Sequence, residues 1–264
     1  MPNLTFLPMI HLKTPQEIEL MKTGGMMLSM VVKEAAEFVR PGMTTKEIDD
    51  FATIRIGELG GGVSFNKVPG YKFATCLCVN EQVVHTPPSN YVLKAGDILT
   101  IDAGVFYKGF HTDKATTIVV GGNSKSEQTD FLKVGYEALG AGLGAVKQGN
   151  RIGNVSAAIE RVFKGTGYWI MRDLTGHGVG RGLHEDPMVP GYVDRKIGKT
   201  PRIVPGMVLA IEVIYSMKKA HIVAEKGSDW SLITDNKSIA ACFEDTIAVF
   251  ENKTSILTRK YGKI

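Results

Sequence analysis

Two helix signals followed by strand signals occur twice along this chain, and that repeated order constrains its fold more than any other feature. Thr14-Pro15-Gln16-Glu17 reads as a capping box with proline at the first helical position. Small or apolar residues then recur at Ile18, Met21, Gly25, Leu28, Val32, Ala35 and Val39, in helical steps, until Pro41-Gly42. A second box, Thr44 with Glu47, opens a helix through Ile48, Phe51, Ala52 and Ile56, ended by Gly60-Gly61-Gly62. β-prone sequence follows over residues 75–84 and 97–120, the latter turning at Lys108-Gly109. Beyond Gly121-Gly122 helical spacing returns, with Leu132, Tyr136, Leu139, Leu143 and Val146 expected on one buried face. Gly149 closes that helix, another carries Val155, Ile159 and Val162, and strands dominate from about residue 176, notably 207–215 and 238–250.

The two helix–helix corners rhyme, Val39-Arg40-Pro41-Gly42 against Val146-Lys147-Gln148-Gly149, and no Ser-rich linker or charge block separates the halves. The expectation is one α+β domain over residues 1–264. Its two pseudo-symmetric halves, about 10–122 and 123–252, flank a central mixed or antiparallel sheet with helices.

With 44% hydrophobic and 22% charged residues, the chain is neither disordered nor fibrous. A net charge of +4 supplies no electrostatic footprint for DNA or RNA. The C-terminal basic run 258–263 reads as a solvated tail. Cys76, Cys78 and Cys242 read as reduced thiols on buried strands, because the Cys-x-Cys pair lacks the companion pair of a structural zinc site. The segment MPNLTFLPMI has no positive n-region and no stretch approaches the ~20 apolar residues of a membrane span, so a cytoplasmic protein is expected.

Chemistry enters through acids set in apolar strands. Asp102 and Asp113 flank the Lys108-Gly109 turn with a parity that puts both on one sheet face, where two carboxylates repel unless a cation lies between them. Glu212 in Leu-Ala-Ile-Glu-Val and Glu244 in Ala-Cys-Phe-Glu-Asp are equally out of place in buried strands. Alternation leaves open whether Glu244 or Asp245 faces the site. Gly176-His177-Gly178 sets an imidazole between small residues, where a ligand has room, and His177 is preferred as a metal ligand over a core histidine. His85 and His184 are further candidates, while His11, His111 and His221 receive no role.

Together these segments resemble the type I methionine aminopeptidases of the pita-bread metallopeptidase family. The resemblance runs from Lys13-Thr-Pro-Gln-Glu17 and the Arg40-Pro-Gly-Met-Thr-Thr45 corner to the Glu244 strand, with Gly-His-Gly-Val-Gly180 and His184-Glu-Asp-Pro187 between. It implies the pita-bread fold and five metal ligands, Asp102, Asp113, His177, Glu212 and Glu244, which chooses Glu244 over Asp245. It implies two divalent ions (Co, Mn, Fe or Zn) and removal of the N-terminal methionine from nascent polypeptides by metal-hydroxide attack on the first peptide bond. Catalytic roles fall on Glu212 as proton shuttle, His184 at the oxyanion and His85 at the scissile amide. The methionine side chain falls to Tyr71, Cys76, Trp230 and Phe65. The implied partners are polypeptide N-termini and a transient ribosome contact, with a monomer expected.

The chain departs from that pattern at Thr86-Pro87, where Gly-Ile is usual, at Val213 for proline, and at Leu183 for an aromatic. Asp245 stands where histidine is common and resembles the Xaa-Pro aminopeptidase and prolidase branch, which is therefore the rival reading. A non-catalytic, ribosome- or RNA-associated relative is the rival of another class, and retention of all five ligand types tells against it.

Overall fold

The computed structural model describes residues 10–122 and 125–259. Most of the segment read for a targeting signal, and the basic run beyond Arg259, lie outside the described residues.

Both early capping boxes form. Helix α1 (Pro15–Phe38) starts with the Thr14 N–H donating to Glu17 (2.8 Å) and the Glu17 N–H donating to the Thr14 hydroxyl (3.3 Å). Helix α2 (Thr45–Glu58) repeats this at Thr44 and Glu47. In the second half, α3 (Ser126–Ala145) and α4 (Ile152–Phe163) keep only the reach-back, with the Lys125 N–H donating to Gln128 and the Arg151 N–H to Asn154.

The strands are β1 (Gly62–Val63), β2 (Thr75–Val79), β3 (Gln82–Val84), β4 (Ile98–Tyr107) and β5 (Phe110–Val119) in the first half. The second half contributes β6 (Trp169–Ile170), β7 (Thr175–Gly178), β8 (Glu185–Pro190), β9 (Val208–Ser216), β10 (Ile222–Ala224), β11 (Leu232–Thr234), β12 (Ala240–Phe250) and β13 (Lys253–Ile256). Strand β4 pairs with β5 along one edge and with β1 and β2 along the other. The second sheet runs β13-β12-β9-β7-β8, and a small sheet joins β10, β11 and β3. Every ladder among the described residues is antiparallel, so the mixed option falls away. The turn between β4 and β5 is Lys108-Gly109, both at positive φ (46° and 93°), as a two-residue hairpin requires.

The two large sheets meet along β5 and β12 through threonine hydroxyls instead of a shared ladder. Thr117 accepts from the Cys242 N–H (3.1 Å) and donates to the Cys242 carbonyl (2.7 Å). Thr246 does the same for Asp113, accepting its N–H (3.0 Å) and donating to its carbonyl (2.8 Å). Each hydroxyl takes the place of a ladder partner, satisfying the N–H and the carbonyl of Cys242 in one case and of Asp113 in the other.

One residue of an expected helix face is misplaced, while Leu139, Leu143 and Val146 are buried as expected and Leu132 packs against the core. Tyr136 on α3 is exposed, and the buried face is Phe131, Gly135, Ala138, Leu139, Gly142 and Leu143. The cause is close packing at glycine. A Cβ on Gly135 would lie 2.3 Å from the Tyr215 hydroxyl, and one on Gly142 would lie 2.8 Å from Ile159. Apolar periodicity ignores glycine, so it misses Gly135 and Gly142 and takes in the exposed Tyr136.

Candidate active site

Sheet register assembles the site. Asp113 lies opposite Gly104 and Asp102 opposite Ala115, so the two aspartates sit diagonally on one face, as their parity required. Glu212 and Glu244 are direct cross-strand partners on β9 and β12. His177 on β7 pairs with Ala210, two residues from Glu212 and therefore on the same face. The Thr246 hydroxyl, holding the Asp113 backbone, binds the two sheets at this point.

Ligand atoms of Asp113, His177 and Glu244 all lie within 4.8 Å of one another. Asp102 and Glu212 line the same cavity as Asp113 and His177. His177 Nδ1 donates to the Gly178 carbonyl (2.9 Å), which fixes the tautomer and leaves the lone pair of Nε2 facing Asp113 Oδ2 (3.9 Å) and Glu212 Oε1 (4.0 Å). A lone pair aimed at two carboxylates is repulsive unless a cation stands between them.

The electrostatics agree. Asp102 Oδ1, Asp113 Oδ1 and Glu244 Oε1 are buried without a hydrogen-bond partner, an expensive arrangement for carboxylates. Burial pushes Asp113 up to about 7, and burial with the Asp113 charge pushes Glu212 up to about 8. Asp102 and Glu244 are driven well above the carboxylate range, first by burial and then by neighbouring carboxylates. Burial, followed by His184, presses His177 down to about 3. Buried acids crowded in this way are a set that a bound cation would stabilise. An oxygen-rich set with a single imidazole fits hard or borderline divalent cations.

Asp245 belongs to the opposite face. It is fully buried and takes bonds from Lys114 (2.5 Å), the Thr258 hydroxyl (2.7 Å) and Arg259 (2.6 Å). The ambiguity between Glu244 and Asp245 is thus resolved by packing, and Asp245 does not reach the cavity.

Beside the carboxylates an apolar wall is built from Phe65, Tyr71, Cys76 and Leu183, with Trp230 packed against it. Tyr71 meets Trp230 edge-on (5.1 Å between centroids), and its hydroxyl donates to the Thr75 carbonyl (2.7 Å) and lies 3.2 Å from the Cys76 sulfur. Gly104 makes room for this wall, since a Cβ there would lie 2.7 Å from Ser64 and 2.8 Å from Phe65. His85 and His184 complete the cavity. The backbone of His85 adopts φ 60°, and the His184 ring stands edge-on 4.5 Å from that of His177. Burial holds both below the ordinary imidazole value. Thr86 shares a hydrogen bond with Ser231 (2.7 Å), which ties the His85 segment to the residue after Trp230.

The cavity therefore gathers every sequence-identified site residue except Glu244, which stands against it within the ligand cluster. Val68, Cys78, Val83, Val84 and Cys242 also line it and received no site role from sequence. Cys78 and Cys242 were legible by alternation, lying two residues from Cys76 and Glu244. The three cysteines are free and buried, as expected. The glycines around His177 have another cause than ligand access. A Cβ on Gly176 would lie 2.5 Å from the Ala210 carbonyl oxygen, and one on Gly178 would lie 2.2 Å from that of Asp186. His111 stays with Ser64 (2.7 Å) and outside the ligand cluster.

The profile described as metallopeptidase family M24 matches residues 19–251. The chain is 38% identical over 251 residues to Methionine aminopeptidase 1 of Bacillus subtilis (strain 168), covering 95% of this chain and 100% of that relative. A crystal structure of methionine aminopeptidase from Thermotoga maritima superposes with a TM-score of 0.91 at 36% identity, over 96% of this chain and 100% of that one. Prolidase from Pyrococcus furiosus superposes with a TM-score of 0.73 at 23% identity, over 95% of this chain and 66% of that one, a likeness of fold alone.

Proposed function

The chain belongs to metallopeptidase family M24, and from that premise we propose that it removes the N-terminal methionine of polypeptides in a metal-dependent reaction. The observation that carries the reading is the junction of an acidic end, with three unpartnered buried carboxylate oxygens, and an aromatic cavity of side-chain size. The family implies divalent metal ions, and Asp102, Asp113, His177, Glu212 and Glu244 are the residues that would hold them. Four carboxylates carry the charge that two divalent cations balance, which supports a pair drawn from Co, Mn, Fe or Zn. When bound, such ions activate water and polarise a carbonyl.

The remaining work falls to the chain. Phe65, Tyr71, Cys76 and Trp230 enclose the methionine side chain, and Leu183 closes the wall. The substrate's free α-amine lies at the acidic end, which limits cleavage to the first residue. Glu212 takes the proton of the attacking water and returns it to the departing amine. His184 donates to the oxygen on which charge develops, and His85 donates to the scissile amide. Both roles need only a ring N–H donor, which the neutral imidazole favoured by burial retains.

The chain is read as one catalytic domain because ligands from both halves meet across β5 and β12. No helix among the described residues is long and apolar enough to cross a membrane, and action on cytoplasmic polypeptide N-termini is part of the proposal, as are a monomeric state and a transient ribosome contact. Asp245, the residue that resembles the proline-directed branch, is paired behind the sheet and does not line the cavity, which supports the methionine reading over that rival.

The test is hydrolysis of Met-Ala-Ser by metal-free protein supplemented separately with Mn, Fe, Co and Zn, alongside Glu212→Ala and an Ala-Pro peptide. Metal-dependent methionine release, lost in the variant, supports the reading and ranks the metals. Preference for the Ala-Pro peptide overturns it.

A further inference from the structure

The loop between β7 and β8 carries two cavity residues, Leu183 and His184, yet two of its six residues are glycine, Gly180 and Gly182 flanking Arg181. Glycine-rich backbone holds no position by itself, so the placement of the His184 ring needs an outside cause. That cause is a buried carboxylate folded back across the neck of the loop. Glu185 accepts the Gly182 N–H on Oε1 (2.9 Å) and the Lys13 ammonium on Oε2 (2.5 Å). The two side chains are only 4% and 7% exposed, so neither charge has water as an alternative partner.

Lys13 comes from the extended segment before α1 and is itself fixed. Its N–H donates to the Gly206 carbonyl (2.7 Å), and a Cβ on Gly206 would press to 3.0 Å from the Lys13 carbonyl oxygen. Its stem fills the space beneath the loop, where a Cβ on Gly180 would lie 2.2 Å from Lys13 Cε. The Gly180 carbonyl in turn accepts the His111 N–H (2.7 Å), tying the same turn to β5 beside Asp113. Arg181 reaches Glu17 at the start of α1 (2.5 Å), a second tether on the same stretch of chain.

We infer that Lys13 and Glu185 are a positioning pair: Lys13 holds the Glu185 carboxylate on the Gly182 N–H, and so sets the His184 imidazole against His177 and the scissile bond. This rests on the aminopeptidase reading for its chemistry and on the geometry alone for the placement. Neither residue touches substrate. Removing Lys13 strands a buried carboxylate, which turns away from Gly182 toward water and releases the loop. Removing both charges while keeping an acceptor for Gly182 leaves the loop where it is.

The experiment compares Lys13→Met, whose stem still fills the space under Gly180, with the double variant Lys13→Met/Glu185→Gln, whose amide oxygen still accepts from Gly182. Each is measured for kcat and KM on Met-Ala-Ser, and in the metal-free state for the side-chain NMR signals of histidine, with His184 assigned by His184→Gln. The expected result for Lys13→Met is a fall in kcat of about tenfold to a hundredfold with KM little changed, and a displaced His184 signal. The double variant regains kcat to within about threefold of the parent and restores the signal, an epistasis that a simple loss of stability does not give. A double variant as impaired as Lys13→Met, or a Lys13→Met protein with an unmoved His184 signal, overturns the inference. Failure of the parent to cleave Met-Ala-Ser would sink the aminopeptidase reading while the His184 signal still decides the positioning.

Discussion

Glu244 and Asp245 are adjacent acids with opposite surroundings, and substituting each in turn should move two different assays. Asp245 is 0% exposed and accepts from Lys114, Thr258 and Arg259. Asp245→Ala leaves two cations unpaired beside the core, a change that costs about 3–5 kcal/mol when both charges are fully buried. Here the Lys114 and Arg259 side chains are 15% and 22% exposed and can turn toward water, so the lower end, about 3 kcal/mol, is expected. In a chain of this size that is a fall in Tm of roughly 6–12 °C.

Glu244→Gln is expected to do the reverse. In the metal-free protein Glu244 is a crowded carboxylate driven well above its ordinary value, with one oxygen unpartnered. A neutral amide there relieves repulsion with Asp113 and Glu212, so metal-free stability should stay within about 1 kcal/mol of the parent or exceed it. Divalent binding should weaken by more than the about 10–100-fold typical of losing an outer-sphere partner. Urea denaturation of both metal-free variants and calorimetric titration with Mn separate the two effects. Loss of metal affinity in an equally stable Asp245→Ala protein, or a Glu244→Gln protein as unstable as Asp245→Ala, would refute the assignment of faces.

Four further outcomes follow from the same geometry. Trp230→Ala opens the aromatic wall on Tyr71, so KM for Met-Ala-Ser should rise by roughly tenfold or more, the equivalent of about 1.5–3 kcal/mol of lost apolar contact, with metal affinity unchanged by titration. Gly135→Ala drives a methyl into the Tyr215 ring, whose hydroxyl donates to the Phe131 carbonyl (2.6 Å), and should destabilise by about 1–3 kcal/mol in urea. Gly140→Ala on the same helix meets nothing within 4 Å and should stabilise by about 0.4–1 kcal/mol. Chelation should abolish activity and lower Tm, and adding back metal at a hundred times its Kd should restore about 2.7 kcal/mol by linkage; a Tm indifferent to metal would deny a site formed only in the folded state.

How much of this was legible in the sequence depends on the kind of interaction. Capping boxes, the Lys108-Gly109 hairpin and the parity of Asp102 with Asp113 are local rules, and each appears where the residues put it. The four acids in apolar strands were visible as misfits because burying a carboxylate is costly wherever it happens. Choosing between Glu244 and Asp245 was beyond alternation, since both are buried and only contacts distant in sequence tell the paired acid from the unpaired one. For Asp245 those contacts are Lys114 on β5 together with Thr258 and Arg259 past β13.

Glycine marks the deeper limit. Gly104, Gly135, Gly176, Gly178 and Gly180 look alike as sequence, and the natural reading of those beside His177 is room for a ligand. In the structure each is glycine because something else already fills its Cβ position: Ser64 and Phe65, Tyr215, the Ala210 and Asp186 carbonyls, and the stem of Lys13. Those contacts join residues as far apart as Lys13 and Gly180, which no periodicity connects. They bear on function all the same. The apolar wall needs the space over Gly104, and the His184 loop is seated on Lys13 through the space under Gly180. A histidine between glycines is therefore evidence about backbone packing first, and its chemistry is set by what the neighbouring strands bring to its free nitrogen, here Asp113 and Glu212.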